Sequence, residues 1–530
     1  MKQDTLLKIR ASFFENPNDY KAYEALGDYY FDKNPKQAYL CYEQAKYYCR
    51  EEADAAELAE RMGQLEAEGN SLNGVSIVIL SYNATAEIKL CIDSIKDSVS
   101  SDTVEIIVVD MGSDAEALEA LRSDATIKLV EEPDTISMAS GYNIGIKEAK
   151  LSNDILLLHN DVVVVPNALF WLRMGLYENE RVGGTGGVTN LAQNYQQIEA
   201  TYGTPNEYLI HGMQNNVLME RPYEKKLQLL GFCWLIKRQA LEAVGKFDET
   251  FLAKACEEDM SCRMIQAGYE LCVCKNAFVY HFGTESIQKK LPDYCQTLIE
   301  DSHKSREKWN FDYRYYTYER RSLVDIMGEV EKTKIRILEI GCGMGATLGY
   351  LQNKYPSAEV YGIELMENVA GIGQKYLPNI IAGNIEYMEI PYEENFFDYI
   401  ICADVLEHLH EPERIVSLLG RYLKPDGSII ASIPNIMHYS VMLDLLKGNF
   451  TYQDSGILDR THLHFFTLNE ILRMFAQCRY KVDVVTGSTQ NVALSEENQV
   501  MYDALLKLPG IAPTHNFQTY QYFVKADVVQ

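Results

Sequence analysis

Two separate series of short, β-branched apolar runs constrain this chain more than any other feature. The first begins at Gly74 with VSIVIL, VEIIVVD, DATIKLVEE and DILLLHNDVVVVP, and the second begins near Lys334 with IRILEIG, AEVYGIEL, FDYIICADV and GSIIASIP. Helical stretches separate the runs. Strands alternating with helices bury both faces, so each series predicts a mostly parallel sheet covered on both sides. At 530 residues the chain exceeds the ~250–300 residues at which one core stops growing. The expected fold class is therefore α/β twice over, with one domain over 74–286 and a second over 322–530. The polar, Tyr-rich stretch 287–321 between them reads as a helical linker.

Residues 1–70 carry apolar side chains at helical spacing and no strand-like run, with Pro17 and Pro35 where helices would begin. Tyr23, Leu26, Gly27 and Tyr30, followed by Ala38, Tyr42 and Ala45, resemble one tetratricopeptide unit, the second set one residue early. Small residues let paired helices approach while aromatics fill the gap. One such unit needs neighbours to be stable, so the segment is expected to pack on the next domain or on a partner. A plain helical hairpin fits as well.

Composition narrows the functional class. Forty-nine Lys and Arg against 76 Asp and Glu give a net charge of −27, which repels phosphate backbones and anionic lipid. Nucleic acid is not an expected partner. Ile155 to Val165, the longest apolar candidate, is broken by His159, Asn160 and Asp161, short of the ~20 residues of a membrane span. The start of the chain lacks a signal-peptide pattern, and the 12 Cys have no repeated spacing. They read as reduced thiols of a cytoplasmic protein. Cys272 and Cys274 lie in an alternating run and read as buried strand positions.

Open α/β sheets bind ligands beyond the carboxyl ends of their strands. In the first series those ends are Ser81-Tyr82-Asn83, Asp110-Met111-Gly112-Ser113 and His159-Asn160-Asp161, polar or acidic in each case. Together they resemble the GT-A fold of inverting family 2 glycosyltransferases, a Rossmann-like nucleotide-diphospho-sugar transferase domain, with Met111 in place of the usual Asn. That resemblance implies a nucleotide-diphospho-sugar donor, UDP-linked in the favoured reading, lined by Ser81 and Asn83, with Asp110 on its base or ribose. Gly141, Asn143 and Gly145 match a donor-lining segment in which Tyr142 replaces an Arg. It implies Mn²⁺ or Mg²⁺ held by Asp161 and His281, which would neutralise the departing diphosphate. The run CEEDMSCRMIQAGY, Cys256 to Tyr269, matches the segment carrying the catalytic base. Aligning on Arg263 and Gly268-Tyr269 ranks the candidates Glu257, Asp259, Glu258, with the helix start expected to keep the carboxylate charged. Trp234 matches the acceptor-lining segment.

The second series opens with ILEIGCGMGAT, which places Gly341, Gly343 and Gly345 between a strand and a helix. Glu364 closes the next strand about 20 residues on, where a carboxylate suits two ribose hydroxyls. This set resembles the Rossmann-like class I methyltransferases that use S-adenosylmethionine. The resemblance implies Glu339 and Gly341 near the methionine end, Glu364 on the ribose, Asn384 and Ile385 by the adenine, and Asp404 beyond the fourth strand. The DVLEHL signature with His408, and a downstream segment with His438, Asp459, Arg460, His462 and His464, resemble sugar-modifying members. His438 and His462 are the favoured bases, and His408, Asp459 and Arg460 are candidates for the substrate site. The expected whole is a bifunctional enzyme acting on a glycan or a protein such as flagellin, with the N-terminal helices docking the acceptor or holding a homodimer. The alternative is an active methyltransferase beside an inactive glycosyltransferase-like module.

Overall fold

The computed structural model describes residues 2–200, 204–283, 287–291, 293–328, 334–490, 493–508, 510 and 512–529. The expected domain boundary at Ser286 lies outside the described residues. The chain forms two compact units, Met1–Tyr313 and Arg314–Gln530. Among the described residues, no helix is long and apolar enough to cross a membrane.

The first unit starts with four helices, Lys2–Glu15, Tyr20–Tyr30, Pro35–Tyr48 and Glu52–Ala67. Asp19 and Asn34 cap the second and third by accepting from backbone N–H groups. Gly27 admits the Tyr42 ring, since a Cβ there would fall 2.4 Å from it. The helices pack on the helix Ala168–Leu176. Tyr23 meets Phe170 edge-to-face at 5.0 Å, and Gln37 Nε2 donates to the Met174 carbonyl at 2.8 Å. Buried Arg173 pairs with Glu43.

The sheet of this unit contains β1 (Val75–Ser81), β2 (Val104–Asp110), β3 (Lys128–Glu131), β4 (Asp154–His159), β5 (Val162–Val164), β6 (Val182–Thr189), β7 (Tyr223–Lys226), β8 (Cys233–Ile236) and β9 (Glu270–His281). Their order is β3-β2-β1-β4-β8-β6-β9-β5, with β7 beside β9. The half β3-β2-β1-β4 is parallel, as the helix-separated runs predict. The other half is mixed: β8 is antiparallel to β4 and β6, and both β5 and β7 are antiparallel to β9. The short runs YEKK and CWLI carry little strand signal, and β5 follows β4 too closely for a crossover helix. Cys272 and Cys274 are buried in β9. The helix Tyr294–Trp309, in the stretch read as a linker, packs within this unit: Asp301 accepts from the Leu252 and Ala253 N–H groups.

The second unit has a seven-stranded sheet built from β10 (Arg336–Ile340), β11 (Glu359–Glu364), β12 (Ile380–Ala382), β13 (Phe397–Ala403), β14 (Leu423–Pro434), β15 (Tyr480–Thr489) and β16 (Thr519–Val528). The order is β12-β11-β10-β13-β14-β16-β15. The first five strands are parallel, and β16 runs antiparallel to both β14 and β15.

Candidate active sites

In the first unit, β4 ends at His159 and a turn through Asn160 and Asp161 enters β5. The register pairs Val162 with His281, so Asp161 arrives beside the end of β9. His281 Nε2 lies 3.2 Å from Asp161 Oδ1. One ligand atom from each of His159, Asp161 and His281 lies within 4.8 Å of the others. Asn190 fixes the end of β9, donating to the His281 carbonyl at 3.1 Å and accepting from its N–H at 2.9 Å. Burial opposes charge on His281, but the Asp161 carboxylate outweighs it and raises the imidazole above its ordinary value. Burial, then repulsion from His281, pushes His159 down to about 3. Both histidines and Asp161 line a cavity that also touches Tyr142, Phe232 and Glu257.

Glu257 sits in the first turn of the helix Ala255–Gln266. Burial pushes its carboxyl up to about 7. This corrects the expectation that the helix start keeps it charged: within a dry wall, desolvation exceeds the dipole. Asp259 faces away from the cavity. Its Oδ2 accepts from Arg263 Nε at 2.8 Å, and its Oδ1 accepts from Trp309 Nε1 at 3.1 Å and pairs with Lys308 at 2.6 Å. Of the three candidate acids, Glu257 lines the cavity, Glu258 is buried outside its lining, and Asp259 is fixed by those partners.

In the second unit, Gly341, Gly343 and Gly345 take positive φ of 67°, 56° and 87°, which favours glycine. A Cβ on Gly343 would fall 2.9 Å from the Tyr316 carbonyl, which accepts from Met344 N–H at 3.0 Å. Glu364 spans this loop and the next, accepting from Gly343 N–H at 2.8 Å and Met366 N–H at 2.9 Å. Burial pushes Glu339 up to about 8, and its Oε2 has no hydrogen-bond partner. A glycine cradle, a carboxylate closing the second strand and an orphaned buried oxygen fit a nucleoside cofactor with a charged amino-acid end. Farther along, Leu463 and His464 donate from their N–H groups to the Glu407 carbonyl at 2.8 and 3.1 Å. That pins the turn carrying His462 against Glu407 and His408, and ligand atoms of the three lie within 4.8 Å of one another. Glu407 is 1% exposed and neither carboxyl oxygen has a partner. Burial, then the Asp404 charge, raises it well above the carboxylate range. The trio could hold a divalent cation.

Residues 73–292 match the family model "Glycosyltransferase like family 2", and residues 312–483 match a methyltransferase domain model. The chain joins a family 2 glycosyltransferase-like domain to a methyltransferase domain. The ubiquinone biosynthesis O-methyltransferase of Acinetobacter baumannii (strain ACICU) is 30% identical over 121 residues, which is 22% of this chain and 50% of that protein. The chain thus spans half the length of that curated relative. Among solved structures, a mannosyltransferase from Pyrobaculum calidifontis in complex with GDP-Man and Mn²⁺ aligns with TM-score 0.33 and 18% identity, covering 45% of this chain and 65% of that one. A SAM-dependent methyltransferase from Aquifex aeolicus aligns with TM-score 0.29 and 16% identity, covering 43% and 98%.

Several residues of the glycosyltransferase-like domain lie elsewhere than expected. Trp234, expected to line the acceptor site, is 0% exposed and packs edge-to-face on Phe247. Phe232, in the turn just before β8, reaches the cavity and stacks on His281 at 5.7 Å. Gly141 and Gly145 allow a close helix–strand contact. Their helix, Met138–Glu148, presses onto β1, where a Cβ would fall 2.8 Å from Leu80 or 2.3 Å from Val78. Asn143 clamps the 247–249 loop through Phe247 and Glu249. Asp110 is 2% exposed and accepts from Gly112 N–H, Ser113 N–H and Ser113 Oγ, so it shapes its own loop. Asn83 links the same loops by accepting from Asp114 N–H at 2.8 Å, and Ser81 is buried at the end of β1. His159, at a position where an acid is expected, and Tyr142, where an Arg is expected, both reach the cavity.

In the methyltransferase domain, His438 serves as a buried helix cap where a base was expected. It is 1% exposed, caps the helix Tyr439–Leu446 through Nδ1 and Ser440, and burial pushes it down to about 4. A group that weakly basic is a poor base at neutral pH. His462 is brought to Glu407 and His408, its Nδ1 2.9 Å from the Ile457 carbonyl. Asp459 shapes the turn by accepting from Thr461 N–H and Oγ1. Arg460 points outward to Asp454. Asn384 caps a turn by accepting from Glu386 N–H, and Ile385 is buried beside it. Asp404 takes φ +55°, accepts from Ser432 Oγ at 2.7 Å and pairs with Arg320 at 2.9 Å. Glu407 and Arg320 were not singled out, although DVLEHL contains the first.

Proposed function

We propose that the first domain transfers a sugar from a nucleotide-diphospho-sugar to a hydroxyl of a glycan or protein acceptor, and that the second transfers a methyl group from S-adenosylmethionine to an oxygen of that glycan. The observation that carries the first half is Glu257, a buried carboxyl poised at about 7 on the same cavity as Asp161 and His281. A base poised near working pH removes the acceptor proton as the hydroxyl attacks the anomeric carbon. Tyr142 and Phe232 exclude water from that wall. Asp161 and His281 would hold a divalent cation, which when bound supplies Lewis-acid neutralisation of the leaving diphosphate.

In the second domain, Gly341 and Gly343 let the backbone approach the cofactor, Glu364 meets the ribose hydroxyls and Glu339 faces the amino-acid end. Glu407, His408 and His462 receive the acceptor hydroxyl. Support for a shared glycan product is the joining of two transferase domains in one chain, which is an argument by association. Flagellin and a surface polysaccharide are the acceptors to try first.

The test is nucleotide-sugar hydrolysis across a donor panel headed by UDP-sugars, with Mn²⁺, Mg²⁺ or EDTA, comparing wild type with Asp161→Ala. Metal-dependent release of one nucleoside diphosphate, lost in the variant, is expected. No turnover of any donor, with S-adenosylmethionine still bound, would reduce the first domain to a binding module.

A further inference from the structure

Two polar atoms on the wall of the first domain's cavity have nothing to bond to. Tyr142 and Glu257 are 1% and 2% exposed, and among the described residues neither the Tyr142 hydroxyl nor Glu257 Oε1 has a hydrogen-bond partner. Both side chains line the cavity, and both atoms crowd the space in front of Gly231, where a Cβ would strike each of them. Burial raises both groups. Beyond that, the Glu257 charge raises the phenol further, and the phenol draws the carboxyl down. Tyr142 therefore keeps its proton and serves as a donor. An orphaned donor beside an orphaned acceptor in a dry wall is a cost to folding. A hydroxyl relieves both at once, giving its hydrogen to the carboxylate and taking one from the phenol on its oxygen. The ring is held in place for this: Tyr142 packs on Phe247 at 5.4 Å, and its helix is seated on β1 through Gly141 and Gly145.

We propose that Tyr142 is an acceptor-binding catalytic residue, whose phenol hydrogen-bonds the oxygen of the attacking hydroxyl while Glu257 takes its proton. As that oxygen bonds to the anomeric carbon, the bond from the carbon to the diphosphate oxygen breaks, and its electron pair leaves on the nucleoside diphosphate. The hydroxyl proton ends on Glu257, and Tyr142 keeps its own. By occupying one lone pair of the oxygen, the phenol aims the other at the carbon. An Arg at this position would pair permanently with the Glu257 carboxylate, whereas a neutral phenol leaves it free to take a proton. The inference rests on the reading of Glu257 as the base.

The experiment compares full-length wild type, Tyr142→Phe, Glu257→Gln and the double variant in hydrolysis of the nucleotide-sugar that wild type turns over, with water as the hydroxyl. Tyr142→Phe should lower kcat by about tenfold to a hundredfold with the donor KM unchanged. The double variant should be little slower than Glu257→Gln, because the phenol acts on the same proton transfer. Calorimetry should find UDP with Mn²⁺ bound as by wild type, and circular dichroism an unchanged fold. An unchanged kcat overturns the proposal. So does a raised donor KM with weakened UDP binding, which would put Tyr142 on the donor side. An infrared pH titration needs no turnover. It follows the carbonyl stretch of the protonated Glu257 carboxyl, identified by its loss in Glu257→Gln. Lys254 and Glu258 also act on that carboxyl, in opposite directions, and both stay in place in Tyr142→Phe. Removing the phenol should shift the stretch and raise the pH at which the carboxyl ionises by about one pH unit. If wild type turns over no donor, that shift keeps Tyr142 and Glu257 as a hydroxyl-binding pair and sinks the transferase reading alone. An unmoved stretch and ionisation would sink both.

Discussion

The carboxyl of Glu257 occupies the space in which a side chain on Gly231 would begin: a Cβ at 231 would fall 2.3 Å from Glu257 Oε1 and 2.9 Å from the Tyr142 hydroxyl. Gly231→Ala should therefore displace the carboxyl while leaving its chemistry intact. Sugar transfer should fall by about tenfold to a hundredfold through misplacement, against about 10²- to 10⁴-fold for Glu257→Gln. Steady-state kinetics on the two variants check the order.

The pH dependence follows from the same group. Its folded value of about 7 lies above the ordinary carboxylate value. Between those two values the folded chain keeps a proton that the unfolded chain has lost, so this group's contribution to stability is present at low pH and declines as pH rises through that window. Activity runs the other way, since the base must be ionised. kcat/KM should rise through about pH 7 in wild type, and Glu257→Gln should lack that limb.

Asp259 should behave as a structural acid. Asp259→Asn leaves Arg263 and Lys308 facing a neutral group in a buried setting, which destabilises by about 3 kcal/mol. A clear drop in Tm with Mn²⁺ affinity retained is expected from calorimetry.

Glu364→Ala removes the acceptor for two backbone N–H groups at the glycine loop as well as the proposed ribose contact. Hydrogen bonds to a charged group contribute about 1.5–3 kcal/mol, so S-adenosylmethionine affinity should weaken by about tenfold to a hundredfold. Isothermal titration reads this directly.

The buried Arg173–Glu43 pair ties the N-terminal helices to the glycosyltransferase-like domain. Glu43→Ala strands the guanidinium and should destabilise the first unit by about 2–3 kcal/mol. The first denaturant transition should move to lower concentration while the methyltransferase domain melts as before.

Much of the architecture was legible because both sheets announce themselves as apolar runs between helices. The motif ends were legible too, since strand termini place Asp161, Gly341 and Glu364 where open sheets bind ligands. What stayed hidden depends on the direction of side chains. Glu257 and Asp259 are two residues apart on one helix and so point to different sides, which no alignment of an acidic run resolves. Trp234 lies inside β8 while Phe232 lies in the turn before it, and two positions separate core from cavity. Gly141 and Asn143 match a binding motif yet serve packing and a clamp. Glu407 lies inside a signature that was recognised, but burial without partners cannot be read from letters. The mixed half of the first sheet was missed because β7 and β8 are four residues each, too short to show a period.

The docking of the N-terminal helices has a consequence for how the chain reaches its native state. Gln37 meets its partner Met174 across 137 positions, and Tyr23 closes on Phe170 in the same seam. Helices form locally and early, but this seam must wait until distant sequence has been made and folded. Until then Tyr23 lacks its Phe170 partner and Gln37 its Met174 carbonyl. The first 70 residues thus complete their packing only after the helix Ala168–Leu176 has been made.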